Sequence, residues 1–305
     1  MDGSVVDGST PPEGPICHPS PISQLRKGTL MWTMSGFADE IDPDLETQCT
    51  ILDQLGIKYI EFRSAWDTNV LDLDDDQIGA AAEILAAHNL TVSCIGSPIG
   101  KINIEEDFDE HLVRMDRAVT VAERLNAPYI RVFSFFLRPE QAPADHRDEV
   151  MGRMRSLAEK ARDADLVLLH ENEKEIYGDI PSRVLDIVET VNLPSLKLAW
   201  DPANYVQVGV SPFTDAYSLV RLHTVYIQIK DAIMGTGDVV PAGEGDGEVR
   251  ETVQALLADG FDGFFSIEPH LSSSHQFGGY SGADNFIRAS RAFTRILDEE
   301  GISYT

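Results

Sequence analysis

Short apolar runs alternate with longer segments of helical periodicity along the chain from residue 30 onward. Alternation of this kind is typical of strand–helix units that build a parallel sheet. The final helix is expected near residues 284–300, after the last apolar run. The pattern predicts strands at residues 30–35, 59–63, 91–96, 129–134, 167–171, 196–201, 225–230 and 263–268.

The segments between these strands carry helix start and stop signals. Asp42-Pro43 is expected to open the first helix, and Asn126-Ala127-Pro128 is expected to close a later one. Apolar residues recur at helical spacing in the first helix, at Leu45, Cys49, Leu52 and Leu55.

Eight strand–helix units within about 270 residues predict a single-domain (β/α)8 TIM barrel over residues 29–305. The alternative is an open doubly wound sheet, which a glycine-rich phosphate loop after the first strand would favour. The sequence there is Ser-Gly-Phe-Ala-Asp-Glu at residues 35–40, without a G-x-G-x-x-G pattern, so the barrel is preferred. Residues 1–28 are rich in Gly, Pro and Ser and lack periodicity, which predicts a flexible N-terminal arm.

Polar residues stand at the ends of the predicted strands five to eight, where a TIM barrel places its active site. Glu171, Asp201 and Glu268 end three of them, and Gln228 shares a strand face with Lys230, opposite apolar neighbours. Carboxylates that converge on a small volume raise each other's pKa unless a cation lies between them. The pattern therefore predicts a divalent metal ion, and oxygen ligands favour a hard ion such as Mn²⁺ or Mg²⁺. The alternative is that these acids cap helices or pair with Lys and Arg.

Four further residues are predicted to bind substrate because they lie at strand mouths. They are Arg63 after strand two, Lys101 after strand three, Lys230 on strand seven and His270 after strand eight. Arg63 could equally pair with buried acids, and Lys230 could form an ion pair with Asp231 or Glu268. The loop at 241–247, Pro-Ala-Gly-Glu-Gly-Asp-Gly, has three glycines and no Lys, so a shaped turn or lid is expected there rather than a phosphate site.

The formal net charge of −27 changes the range of expected partners. A surface of this sign repels phosphate backbones and anionic membranes, so neither nucleic acid nor membrane is expected as a partner. No run of about 18 apolar residues is present. Cys17, Cys49 and Cys94 form an odd set without metal-type spacing, which suits a reducing compartment, so we expect a cytoplasmic protein.

Four short motifs resemble the sugar phosphate isomerase/epimerase family, the xylose-isomerase-like TIM barrels. They are His-Glu-Asn at 170–172, Asp-Pro-Ala-Asn at 201–204, Gln-Ile-Lys-Asp at 228–231 and Ser-Ile-Glu-Pro-His at 266–270. The resemblance implies one metal ion held by Glu171, Asp201, Gln228 and Glu268. It also implies that Glu171 and Glu268 are the catalytic residues.

Two positions depart from the usual pattern of that family. Gln228 stands where most relatives have His, although an amide oxygen can still bind a hard cation and makes the ligand set all oxygen. Mn²⁺ is therefore expected, with Mg²⁺ or Co²⁺ as alternatives. Gln at this position also resembles some bacterial 3-dehydroshikimate dehydratases of the superfamily. Asn204 stands where family epimerases often have His.

The resemblance implies an isomerase or epimerase that acts on a keto sugar or polyol derivative, by proton abstraction next to a metal-bound carbonyl through an enediolate. A lyase using the same site is the alternative, either 3-dehydroshikimate dehydratase-like or cleaving a 3-keto C- or O-glycoside by elimination. A nuclease resembling endonuclease IV and a catalytically silent sugar-binding barrel are less favoured. A homo-oligomer is expected, and some lyase relatives work with an unrelated partner subunit.

Overall fold

The barrel predicted from the sequence is present in the computed structural model, which describes residues 31–271 and 281–305. The arm expected at residues 1–28 lies outside the described residues. Strands β2 to β8 pair in parallel in chain order, β8 pairs with β1, and β1 contacts β2 at the seam. The strands are β1 (Met31–Gly36), β2 (Tyr59–Phe62), β3 (Thr91–Ile99), β4 (Tyr129–Val132), β5 (Val167–Glu171), β6 (Leu196–Trp200), β7 (Thr224–Ile229) and β8 (Phe264–Ile267).

Helices follow the strands in the order expected of strand–helix units. A last short strand, β9 (Ser303–Tyr304), pairs with β1. The main helices are α1 (Leu45–Leu55), α2 (Asp75–Ala87), α3 (Phe108–Arg124), α4 (Pro143–Asp163), α5 (Pro181–Val191), α6 (Pro202–Gln207), α7 (Val249–Ala258) and α8 (Ala283–Glu299).

Shorter elements lie in the connections. Two small antiparallel hairpins pair Ser64–Ala65 with Thr68–Asn69 and Asp231–Ala232 with Val239–Val240. A π-helix (Pro212–Tyr217) runs into one α-helical turn (Ser218–Val220), and 3₁₀ turns occupy Ala38–Glu40, Tyr177–Asp179 and Arg221–His223. No helix within residues 31–271 and 281–305 is long and apolar enough to cross a membrane.

The first helix starts later than the sequence signal indicated. It begins at Leu45, because the Asp44 side chain accepts the backbone N–H of Thr47 at 3.0 Å and so caps the helix. Asp42 instead accepts the backbone N–H of Asp44 within the preceding turn. The expected end of α3 agrees with the structure, since the helix ends at Arg124 and Asn126 takes a left-handed conformation.

Strand β3 runs three residues beyond its predicted end and carries the chain towards the mouth of the barrel. Its pairing with β4 shifts register between Ile95 and Ile99. Gly100 follows at φ +90°, and a Cβ there would lie only 2.0 Å from the carbonyl oxygen of Phe133. Only glycine fits this approach, which positions Lys101 directly afterwards.

The barrel interior is layered along the strands. At the N-terminal end the inward side chains form an apolar cluster of Cys94, Leu169, Ala199, Tyr226 and Phe264, with Tyr59 and Tyr129 packed against it. Because alternate residues of a strand share a face, the residues two positions further on point inward one layer higher. At that level the side chains are polar, as in Glu61, Arg131, Glu171, Asp201, Gln228 and Ser266.

Candidate metal centre and active site

Three carboxylates from different strands meet at the C-terminal mouth of the barrel. Glu171, Asp201 and Glu268 each offer an oxygen atom, and these atoms all lie within 4.8 Å of one another. None of the three residues is more than 2% exposed. The structure thus brings together the three acids that the sequence singled out, in a volume small enough for one cation.

Two asparagines fix the positions of Glu171 and Asp201. The side-chain amide of Asn172 forms two hydrogen bonds with the backbone of Asp201. It donates to the carbonyl at 2.9 Å and accepts from the N–H at 3.0 Å. Asp201 caps α6 by accepting the backbone N–H of Asn204 at 2.9 Å. The Asn204 side chain then donates to Glu171 Oε1 at 3.0 Å. Asn204 therefore orients one of the predicted ligands directly.

Gln228 points its amide into the same volume. Its Nε2 donates to Glu171 Oε2 at 3.2 Å and to Glu61 Oε1 at 3.5 Å. Its Oε1 is buried and has no hydrogen-bond partner among the residues that the structure describes. Reversing the amide would set its oxygen against two carboxylates, so the observed orientation is the favourable one. A buried amide oxygen without a partner is a hard donor, and together with the three carboxylates it gives a donor set whose chemistry suits a divalent cation.

Glu61 is a buried member of the site that the sequence reasoning missed. It lies on β2 with 1% exposure, and its Oε1 is the second acceptor for the Gln228 amide. Burial raises its pKa to about 7, although Arg131 opposes the shift. The alternation of Tyr59, Glu61 and Arg63 with apolar neighbours is the signal that could have revealed it, since these three share a strand face.

Two buried arginines neutralise part of this negative charge. Arg131 donates to Glu171 Oε2 at 3.1 Å, and Arg63 donates to Glu268 Oε1 at 3.0 Å and to both oxygens of Asp39. Both guanidinium groups lie over the ring of Phe37. The distance to the ring centroid is 4.5 Å for Arg63 and 4.9 Å for Arg131. Arg63, expected to bind substrate, is thus already held by buried acids.

Lys230 makes the closest contacts with the proposed ligands. Its Nζ lies 2.7 Å from Asp201 Oδ2 and 2.8 Å from Glu268 Oε2, and the residue is 5% exposed. The ion pair with Glu268 was one of the two sequence alternatives. The other, Asp231, accepts backbone N–H groups of Ala232, Gly243, Gly245 and Gly247 instead.

The remaining two residues predicted to bind substrate lie at the rim of the mouth. Lys101 contacts Glu173 Oε2 at 3.1 Å and covers the Phe133 ring, with a quarter of its side chain exposed. His270 donates its backbone N–H to Glu40 Oε2 at 2.8 Å and places Nδ1 3.5 Å from Lys230 Nζ. Both can reach a molecule in the mouth, whereas Arg63 and Lys230 lie deeper.

The pKa values of the two proposed catalytic carboxyl groups shift in opposite directions. Burial raises the pKa of Glu171, against the opposing charge of Arg131. Burial acts on Glu268 too, but the surrounding positive charges, Lys230 foremost, hold its pKa well below the ordinary value. The two carboxyl groups therefore differ in how far neighbouring positive charge offsets the effect of burial on the pKa.

Comparisons with known proteins agree with the barrel fold. A model of the xylose isomerase-like TIM barrel family matches residues 49–295. A search of curated protein sequences finds no match.

Solved structures share the fold at low sequence identity. The IolI protein with a bound zinc atom has a TM-score of 0.73 at 15% identity, covering 88% of this chain and 98% of its own. The probable 3-DHS dehydratase AsbF of petrobactin synthesis from Bacillus anthracis has a TM-score of 0.68 at 16% identity, with coverages of 87% and 98%. D-Allulose 3-epimerase from Methylomonas sp., in complex with D-allulose, has a TM-score of 0.67 at 14% identity, with coverages of 88% and 97%.

Proposed function

The chain belongs to the xylose isomerase-like TIM barrel family, and we propose that it is a divalent-metal-dependent isomerase or epimerase acting on a keto sugar or polyol derivative. One observation carries the proposal. Glu171 and Glu268 extend from different strands, are buried, and bring their oxygens within 4.8 Å of each other and of Asp201. A pair of carboxylates on either side of one cation can remove a proton from carbon and return it elsewhere.

The proposed ligands are Glu171, Asp201, Gln228 and Glu268. Their support is the donor chemistry, namely three carboxylates and an amide oxygen without a hydrogen-bond partner in the described part of the chain. Mn²⁺ is proposed as the ion, with Mg²⁺ or Co²⁺ as alternatives. When bound, such an ion supplies Lewis-acid polarisation of a carbonyl group and so acidifies the neighbouring C–H bond.

Proton transfer is assigned to the two glutamates. Glu268 pairs with the buried Arg63, whose charge favours the ionised carboxylate, and this suits the group that accepts a proton from carbon. Glu171 accepts hydrogen bonds from Asn204 and Gln228 and approaches the same volume from a different strand, which suits the group that returns the proton. Return to the opposite face of the same carbon gives epimerisation, and return to the adjacent carbon gives isomerisation.

Substrate binding is proposed for Arg63, Lys101, Lys230 and His270. Lys101 and His270 have the exposure needed for direct contact with hydroxyl groups. A small carbohydrate as substrate is supported by the D-allulose bound to the structurally similar 3-epimerase. The homo-oligomeric state, an unrelated partner subunit and a cytoplasmic location stay predictions.

A lyase is the second candidate, because of two amides in the site. Gln228 and Asn204 both donate to Glu171, at positions where the resemblance to sugar isomerases and epimerases implies His, and a 3-DHS dehydratase is among the similar folds. The same proton abstraction expels a leaving group that sits β to the carbonyl, giving 3-dehydroshikimate dehydration or cleavage of a 3-keto C- or O-glycoside.

Solvent exchange distinguishes the candidates. The protein with Mn²⁺ is incubated in D₂O with keto sugars, 3-dehydroshikimate and 3-keto glycosides, and the products are followed by NMR. We expect a product of unchanged formula that carries one solvent-derived deuterium on carbon. An unsaturated product or a released aglycone would favour the lyase, and the absence of both exchange and an eliminated product with every compound would contradict both candidates.

A further inference from the structure

The ammonium group of Lys230 lies among the atoms assigned to the metal. Its two shortest contacts, 2.7 and 2.8 Å, are to Asp201 Oδ2 and Glu268 Oε2, which belong to two of the proposed ligands. Burial of an ammonium group is unfavourable unless anions surround it. Here two carboxylates do so, and the lysine in turn neutralises acids that would otherwise repel one another.

The same oxygen atoms cannot serve two cations equally well. Coulomb repulsion between a divalent ion and an ammonium group that share two carboxylates is strong in a site with so little water. Since Lys230 has a flexible four-carbon stem, it can withdraw while its backbone stays in place. Removing it would leave Asp201 and Glu268 free to bind a metal.

We propose that Lys230 is the built-in counter-ion of the metal-free site and that metal binding displaces its ammonium group, so that lysine and metal compete for Asp201 and Glu268. The inference rests on the ligand set of the proposed function. It adds that metal affinity is set in part by a residue that is not a ligand.

The rim offers the displaced group a new position. His270 Nδ1 lies 3.5 Å from Nζ already, and the negative charge of Glu173 acts on Lys230 from the β5 side. Glu173 is itself paired with Lys101 at the mouth. Metal binding would therefore move a hydrogen-bond donor towards the place where substrate enters, which couples metal loading to substrate binding.

Metal affinity measured without substrate tests the proposal. Mn²⁺ dissociation constants are determined by calorimetry for the wild type, Lys230→Met, Lys230→Gln and Lys230→Arg. We expect Mn²⁺ to bind about tenfold or more tightly to the Met and Gln variants, because the competing charge is gone. The Arg variant should stay close to the wild type. Lys58→Met removes the same charge from an exposed pair with Asp53 and should leave the affinity unchanged.

Thermal unfolding gives a second readout. Metal-free Lys230→Met should unfold at a lower temperature than the metal-free wild type, since its buried acids lack a counter-ion. Mn²⁺ should raise the unfolding midpoint of this variant by more than it raises that of the wild type. A neutral variant that folds only with Mn²⁺ would also support the proposal. Equal or weaker Mn²⁺ binding in both neutral variants, no binding in any variant, or failure to fold even with Mn²⁺ would overturn it.

The Mn²⁺-affinity test of Lys230 and the deuterium-exchange test of the proposed function can fail separately. Tight Mn²⁺ binding by Lys230→Met together with no deuterium exchange in the wild type would refute the proposed function while the competition stands. Normal exchange in the wild type with unchanged Mn²⁺ affinity in the neutral variants would refute the competition while the proposed function stands.

Discussion

The same strands line two different halves of the barrel interior. The lower half, at the N-terminal ends of the strands, is apolar, whereas the upper half, at their C-terminal ends, is polar and charged. In the lower half, aromatic rings pack edge to face or tilted, with centroids 6.1 Å apart for Tyr129 and Tyr226 and 5.6 Å apart for Tyr226 and Phe264. Two residues further along β7 and β8 the side chains are Gln228 and Ser266, and two further still Lys230 and Glu268. One step of the strand period therefore separates the apolar core from polar side chains, and a second step reaches the charged groups.

Hydroxyl groups lie at the boundary between the two halves and hydrogen-bond to one another. The Tyr226 hydroxyl lies 2.9 Å from Ser93 Oγ, which also contacts Ser35 Oγ at 2.7 Å and donates to the carbonyl of Ile60. The aromatic layer thus ends in polar atoms that satisfy one another before the charges begin. Because of this arrangement, we expect substitutions below the hydroxyl groups to change stability and substitutions above them to change metal binding and catalysis.

The largest effect is expected from Glu268→Gln in the upper half. It removes the proposed proton acceptor and one metal ligand, so deuterium exchange into substrate should fall by about 10³-fold. The midpoint of thermal unfolding should also fall, because Lys230 and Arg63 each lose a buried counter-charge, so exchange is compared on protein whose fold is confirmed by circular dichroism. Glu244→Gln, in an exposed pair with Arg288, is the matched control. Exchange within tenfold of the wild type in Glu268→Gln would contradict the assignment.

The lower half should respond in the opposite way to Phe264→Ala. Loss of this ring from the apolar cluster should lower the free energy of unfolding by about 3–5 kcal/mol. Chemical denaturation measures this change, and calorimetry should show a Mn²⁺ affinity within a few-fold of the wild type. Leu257→Ala on the outer surface should cost far less. Loss of metal binding in folded Phe264→Ala would mean that the halves are not independent.

Replacing Gln228 distinguishes a ligand from a neighbour. Gln228→Leu removes the amide oxygen and should weaken Mn²⁺ binding by about 100-fold. Gln228→His should retain a metal and shift the preference towards Zn²⁺ or Co²⁺, because imidazole suits those ions. Competition titrations with the three ions provide the measurement. If Gln228→Leu binds Mn²⁺ as the wild type does, Gln228 is not a ligand.

A smaller effect is expected from Glu61, which acts through Gln228. Glu61→Leu removes one of the two acceptors that orient the amide and should weaken Mn²⁺ binding by about tenfold. Glu61→Gln keeps an acceptor oxygen and should lose less. The contrast between the two variants carries the test, so equal losses would point to the charge of Glu61 rather than its hydrogen bond.

The sequence predicted the barrel and the convergence of Glu171, Asp201 and Glu268 because both follow from strand periodicity. The inward direction of Gln228 and Lys230 followed from the same rule. Contacts between strands did not, since a period along one strand gives no distance to the next. For this reason the pairing of Lys230 with Asp201 and the contact between Glu61 and Gln228 became visible only in the structure. Loop conformations and the start of α1 at Leu45 depended on local hydrogen bonds, which the sequence pattern leaves open.

The four amide contacts of Asp231 have a consequence for how this chain can change over evolutionary time. A Cβ at Gly245 or Gly247 would come within 2.5 Å of Asp231 Oδ1, and Gly243 has φ +81°. The acid accepts the backbone amides of all three glycines and leaves no room for a side chain at positions 245 and 247, so a side chain at either position would displace it. Among descendants of a common ancestor we expect these four positions to be kept or lost together, whereas Glu244, an exposed residue paired with Arg288, is free to drift.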